Sequence, residues 1–231
     1  MTNHSNHPDA RPIRSYVLRS GRMTESQLRA TKELWPVYGM QVSEGSSALE
    51  RSLRAPSRRI LEIGFGMGDS LHSMAQADPA ADFIGVEVHK PGIGRLLHLT
   101  EQSGTTNLRV YCADAIEVLE HCVEDASLDR LQLFFPDPWH KNKHRKRRIV
   151  QAKFVNLIGR KLKLGGVFHA ATDWQDYATQ MLKVLSAVEI YENMAGSGKF
   201  SPRPDYRPTT KFEQRGCRLG HGVWDLLFRR C

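Results

Sequence analysis

From Arg58 onward the chain alternates short apolar runs with longer amphipathic ones, and few architectures accommodate that order. "RRILEIGFG" has the character of a buried strand that breaks into glycines, and "DSLHSMAQA" of the helix that follows it. The pattern repeats through "DFIGVEVH" and "GRLLHLTEQ", then "NLRVYCAD" and "AIEVLEHCV", then "LDRLQLFF". A helix through "AKFVNLIGRKLK" is predicted to stop at Gly165 and Gly166, where "GVFHAAT" starts a fifth strand before the helix "QDYATQMLKVLSAV". Strands separated by helical crossovers pair in parallel, so the expectation is an α/β fold with a doubly wound, mainly parallel sheet and helices on both faces. "AVEIYENM" and "HGVWDLLFRR" add two strands, which close a seven-stranded sheet with a C-terminal antiparallel pair. The long polar segment between them, rich in Pro, Gly and Arg, is expected to be functional or disordered.

Residues 56–231 form the expected catalytic domain, and two other regions precede it. Residues 1–12 are polar and have no apolar segment of the secretory kind, so they are expected to be a disordered tail. Residues 13–55 form a basic arm. In it Thr24 and Gln27 have capping-box spacing, and a short helix is expected to run to about Trp35 before Pro36 stops it. No apolar run is long enough to cross a bilayer. Cys112, Cys122, Cys217 and Cys231 have no paired spacing, which argues against zinc or a disulfide framework and suits reduced thiols in a cytoplasm. The 231 residues carry a net charge of +8, which points to a polyanionic partner, nucleic acid first.

"LEIGFGMGDS" ends the first strand with Glu62, Gly64 and Gly66. A glycine-rich turn at that place binds a nucleotide-like ligand or is merely a tight turn. Glu87 ends the second strand, about twenty residues on, where a ribose-binding acid is expected. Asp114 ends the third and would meet an adenine amino group or cap the next helix. Carboxylates beside the loop repel a pyrophosphate but attract the sulfonium and ammonium of S-adenosylmethionine. The E-x-G-x-G-x-G form therefore favours that cofactor over NAD.

Asp137 follows the fourth strand in "FFPDPWHKNKHRKRR". Its "DPW" order resembles the acid-or-amide, proline, aromatic motifs of methyltransferases that act on nucleobase nitrogens. A ring nitrogen with a free lone pair, such as guanine N7, needs alignment and a carboxylate near the developing charge rather than a strong base. Asp137 is the residue expected to supply both. Trp139 either stacks on a base or packs in the turn. From His140 to Arg148 six of nine residues are basic, and Lys143, Arg145, Lys146 and Arg147 are expected on the RNA backbone.

Together with "YVLRSGRMTESQ", "GVEVH", "ATDWQDYA" and "RPTTKFEQRGCRLGHGVWDL", these segments resemble the bacterial tRNA (guanine-N7-)-methyltransferases over most of the chain. The resemblance implies a Rossmann-like class I methyltransferase fold and S-adenosylmethionine contacts at Glu62, Glu87, Asp114 and Asp137. It implies substrate contacts at Lys141, Asp173, Thr210, Lys211, Phe212 and Glu213, and guanosine 46 of the tRNA variable loop as the substrate. Two other functions compete: methylation of an exocyclic nucleobase amine, and RNA binding without catalysis.

Overall fold

The computed structural model describes residues 15–16, 21–209, 213 and 222–231. The arm contributes α1 (Glu25–Tyr38), the two-residue strand β1 (Gly39–Met40), a 3-10 turn over Val42–Glu44, and α2 (Gly45–Ser52). Next come β2 (Arg58–Ile63), α3 (Asp69–Ala77), β3 (Ala81–Glu87), α4 (Lys90–Ser103), β4 (Leu108–Cys112) and α5 (Ala115–His121). The second half holds β5 (Leu128–Phe134), a 3-10 helix over Asn142–Arg147, α6 (Ala152–Lys161), β6 (Leu162–Thr172), α7 (Gln175–Ser186), β7 (Tyr191–Asn193) and β8 (Trp224–Arg230).

The strands lie in the order β1-β4-β3-β2-β5-β6-β8-β7. All neighbours up to β6 are parallel, and β8 runs antiparallel between β6 and β7. The direction of winding reverses between β2 and β5, which opens a crevice at the carboxyl ends of those strands. Alternation along the strands sends side chains to two cores. Leu61, Ile84, Val86 and Leu131 pack with Val118 of α5, Phe154 of α6 and Met181 of α7. Ile60, Phe83 and Val110 pack on the other face with Leu71 of α3, Leu96 of α4 and Ala30 of α1. Truncating a fully buried leucine such as Leu61 to Ala would cost about 2–5 kcal/mol.

The seven expected strands are present, and β1 adds an eighth at the β4 edge. Two residues are too short to show a period in the sequence. Pro36 does not stop α1, which runs two residues beyond it to Tyr38. A proline this near the C-terminus removes a single intrahelical bond, and the helix is held by packing on α4, where Arg29 pairs with Glu101. The Thr24–Gln27 capping box forms as expected. α6 ends at Lys161 rather than Gly165. Lys161 Nζ turns inward to the Val123 carbonyl (2.8 Å) and Asp125 (2.7 Å), and the next residue, Leu162, already pairs with Leu128. Gly165, at φ +78°, therefore sits in a bulge of β6, where the register jumps between Leu128 and Arg130. The strand expected over "AVEIYENM" contracts to Tyr191–Asn193.

Candidate active site

The loop after β2 turns on Gly64 (φ +72°) and Gly66 (φ +59°), and a Cβ at either would meet nothing within 4 Å. Their need is conformational, because both face open space. The Glu87 carboxylate clamps this loop: Oε2 accepts from the Gly66 N–H at 2.8 Å, and Oε1 accepts from Val88 (2.6 Å) and His89 (2.9 Å). On the other side α4 approaches so closely that a Cβ on Gly92 would lie 1.9 Å from the Gly66 carbonyl oxygen.

A cavity of about 390 Å³ opens at this crevice, and Gly64, Gly66, Glu87, Asp114 and Asp137 all line it. Three carboxylates reach the wall, and no lysine or arginine does so among the described residues. Such a wall attracts a cationic, phosphate-free ligand and repels a pyrophosphate. S-adenosylmethionine fits that donor set, and the volume is that of an ordinary small-molecule site. Asp114 lines the cavity and also caps α5, accepting the Ile116 N–H at 2.8 Å.

Glu62 stands apart. It is 3 % exposed, and the cavity wall begins one residue later at Ile63. It lies beside Gln132 of β5 in the sheet, and its Oε2 has no hydrogen-bond partner. Burial pushes its carboxyl up to about 8; the Arg130 charge opposes the shift and the Glu87 charge adds to it.

β5 ends at Phe134, and the chain carries Asp137 into the cavity between two left-handed residues, Phe135 (φ +50°) and Trp139 (φ +47°). Non-glycine residues in that region cost on the order of 1–2 kcal/mol each, so neighbouring contacts must hold the turn. Arg148 ties the turn to α7. It is buried, donates to the Pro138 carbonyl (2.8 Å), Gln180 Oε1 (2.5 Å) and Asp176 Oδ2 (2.6 Å), and lies 4.7 Å over the Tyr177 ring. Nothing in the basic run distinguishes Arg148 from its neighbours, and sequence reasoning counted it as one more surface cation.

Trp139 packs in the turn. Its indole N–H donates to the Ser15 carbonyl at 3.2 Å, and the Arg147 guanidinium lies 4.7 Å over its ring. Ser15 and Tyr16 also line the cavity, so Trp139 ties the arm to the site. Arg145 pairs with Asp176 at 3.0 Å. Lys141, Lys143 and Lys146 are exposed and make no ion pair with the described residues.

Asp173 follows β6 but does not cap α7, whose N-cap is Trp174, and it is not part of the cavity wall. Glu213 is 6 % exposed and takes both arms of the Arg207 guanidinium, at 2.7 and 2.9 Å. Arg207 also holds Asp225 (2.7 and 3.0 Å), which bonds His169 Nε2 at 2.7 Å, and Tyr206 bonds His169 Nδ1 at 2.9 Å. Sequence reasoning missed this network: Arg207, Glu213 and Asp225 all stand in the quoted "RPTTKFEQRGCRLGHGVWDL", but no local pattern pairs them with one another or with His169 on β6. Thr210, Lys211 and Phe212 lie outside the described residues, as do the tail and Cys217. Among the described residues no helix is long and apolar enough to cross a membrane.

Solved structures share the fold. The 16S rRNA methyltransferase KamB superposes with a TM-score of 0.59 at 16 % identity, covering 84 % of this chain and 99 % of its own. The aminoglycoside-resistance methyltransferase NpmB1 gives 0.54 at 16 % identity, covering 80 % and 93 %. Residues 57–226 match the family described as "Putative methyltransferase". Among similar proteins, the tRNA (guanine-N(7)-)-methyltransferase of Saccharophagus degradans is 58 % identical, over 94 % of this chain and 95 % of its own. Those of Alcanivorax borkumensis and Pseudomonas aeruginosa are 54 % and 57 % identical, covering 99 % and 97 % of this chain and 97 % and 93 % of their own. Likeness at that level along nearly the whole length, on a methyltransferase fold with an acid-lined crevice, means that the chain belongs to the tRNA (guanine-N(7)-)-methyltransferase family.

Proposed function

We propose that this protein methylates N7 of guanosine in tRNA, at position 46 of the variable loop, with S-adenosylmethionine as donor. The observation that carries the reading is the cavity wall, where Glu87, Asp114 and Asp137 meet the open glycine loop without a basic side chain among the described residues. S-adenosylmethionine supplies an electrophilic methyl group on a sulfonium. Glu87 and Asp114 bind and orient the cofactor, with the glycine loop held by Glu87. Asp137 faces the acceptor side. N7 would bond to the methyl carbon through its lone pair as the carbon–sulfur bond breaks and S-adenosylhomocysteine leaves, so no proton has to leave the base, and positive charge would move from sulfur onto it. A fixed carboxylate there stabilises that charge.

Lys141, Asp173 and the Thr210–Glu213 segment are assigned to the substrate, and the lysines of the basic run to its phosphates. The substrate assignment implies a cytoplasmic protein. Purified protein incubated with labelled S-adenosylmethionine and unmodified tRNA, followed by nuclease digestion and mass spectrometry, tests the reading. The label should appear as 7-methylguanosine at a single site. Methyl on an exocyclic amine, or no transfer, would refute it.

A further inference from the structure

A second cavity, of about 440 Å³, lies on the same rim of the sheet and plays no part in the chemistry above. Lys32, Trp35 and Pro36 of α1, Lys90 and Ile93 of α4, and Cys112 at the end of β4 line it. It neighbours the cofactor cavity along the chain: His89 and Ala113 line the first, and Lys90 and Cys112 line the second. We propose that this cavity binds a nucleotide of the RNA substrate, with the base against Trp35 and the phosphate on Lys32 and Lys90; it rests on the tRNA reading above.

The cavity combines what a nucleotide needs and offers nothing against it. Trp35, Pro36 and Ile93 give it flat apolar walls, and no acid lines it among the described residues. Gly39 leaves room for the Trp35 ring, since a Cβ there would lie 2.3 Å from a ring atom. Both lysines are exposed, and neither forms an ion pair with the described residues. The nearby Arg29, by contrast, is neutralised by Glu33 and Glu101. An aromatic platform flanked by unpaired cations is the arrangement that grips unpaired bases without reading their sequence. The basic 3-10 helix over Asn142–Arg147 follows β5, which lies across β3 and β2 from β4 in the sheet. An RNA that meets both cationic patches is held across the methyl-transfer crevice rather than at one edge.

The experiment is tRNA binding across a salt series for the full chain, with S-adenosylmethionine binding measured on every variant to show that it is folded. Lys32→Ala with Lys90→Ala should weaken tRNA binding at least about tenfold at low salt and reduce the salt slope by roughly one per lysine. Trp35→Leu should weaken binding about tenfold with the slope unchanged. Bound tRNA should slow alkylation of Cys112 by iodoacetamide, read on that peptide. Where Trp35→Leu fails to fold, the lysine variant and Cys112 protection decide. Wild-type affinity and slope in the lysine variant overturn this proposal alone. Failure of the wild-type chain to bind tRNA overturns the substrate reading as well. Protection of Cys112 by free mononucleotide as strong as that by tRNA overturns the RNA source and reassigns the cavity to a small nucleotide.

Discussion

Replacing Glu62 with Gln separates two roles for one carboxyl. As a cofactor ligand it would be ionised and would hold the ammonium. As the structure places it, the group is buried off the cavity wall with an unpartnered oxygen, and burial pushes it up to about 8. A carboxyl raised in this way is protonated in the folded chain at neutral pH and ionised in the unfolded one. Its contribution to stability is therefore fully present below its ordinary value near 4.5 and is lost progressively as pH rises to about 8. Each pH unit in that window costs about 1.4 kcal/mol, so at pH 7 the loss is on the order of 3 kcal/mol. Gln keeps the shape and has no proton to lose. Glu62→Gln should match the wild type near pH 5 and exceed it at pH 7, with a melting gain of about 2–4 °C per kcal/mol. Urea denaturation of both proteins across that range measures the difference directly. A difference that stays constant with pH would refute the reasoning, as would a tenfold loss of S-adenosylmethionine affinity without the pH-dependent gain.

Asp137→Ala should lose about 100-fold or more in turnover while tRNA retention on filters stays at the wild-type level, because the carboxylate acts on developing charge. Arg148→Ala should destabilise the fold by about 2–4 kcal/mol, since the Pro138 carbonyl loses its donor, and Arg148→Lys should recover only part because it lacks the fork; denaturation midpoints report both. Neutralising Lys141, Lys143 and Lys146 together should lower the salt slope of tRNA binding by roughly one per phosphate contact, and an unchanged slope would return them to a solvated face.

What was legible in the sequence was whatever a local pattern carries. The period of β2, α3 and β3 located the crevice, and E-x-G-x-G-x-G with Glu87 and Asp114 located the acid wall. Features decided by packing between distant segments were hidden. α1 runs past Pro36 because α4 holds it, and β6 begins before its glycines because Leu162 pairs with Leu128. Arg148 and Lys161 are charged in the sequence like any surface residue, yet both turn inward to carbonyl oxygens. Glu62 matched the motif for an ammonium-binding acid, but strand alternation sends its side chain to the same face as Gln132, and no one-dimensional pattern reports which face a ligand will touch.

The two-residue pairing of β1 with β4 has a bearing on how the chain behaves in company. Without it, β4 would present bare amide and carbonyl groups at Val110 and Tyr111, a template on which another copy could add a strand. So short a strand satisfies those groups while offering almost no new edge of its own. A chain trimmed to begin at about residue 54 would thus be prone to self-association as well as losing Ser15 and Tyr16 from the cofactor cavity, and light scattering would register the first fault separately from any assay of methyl transfer.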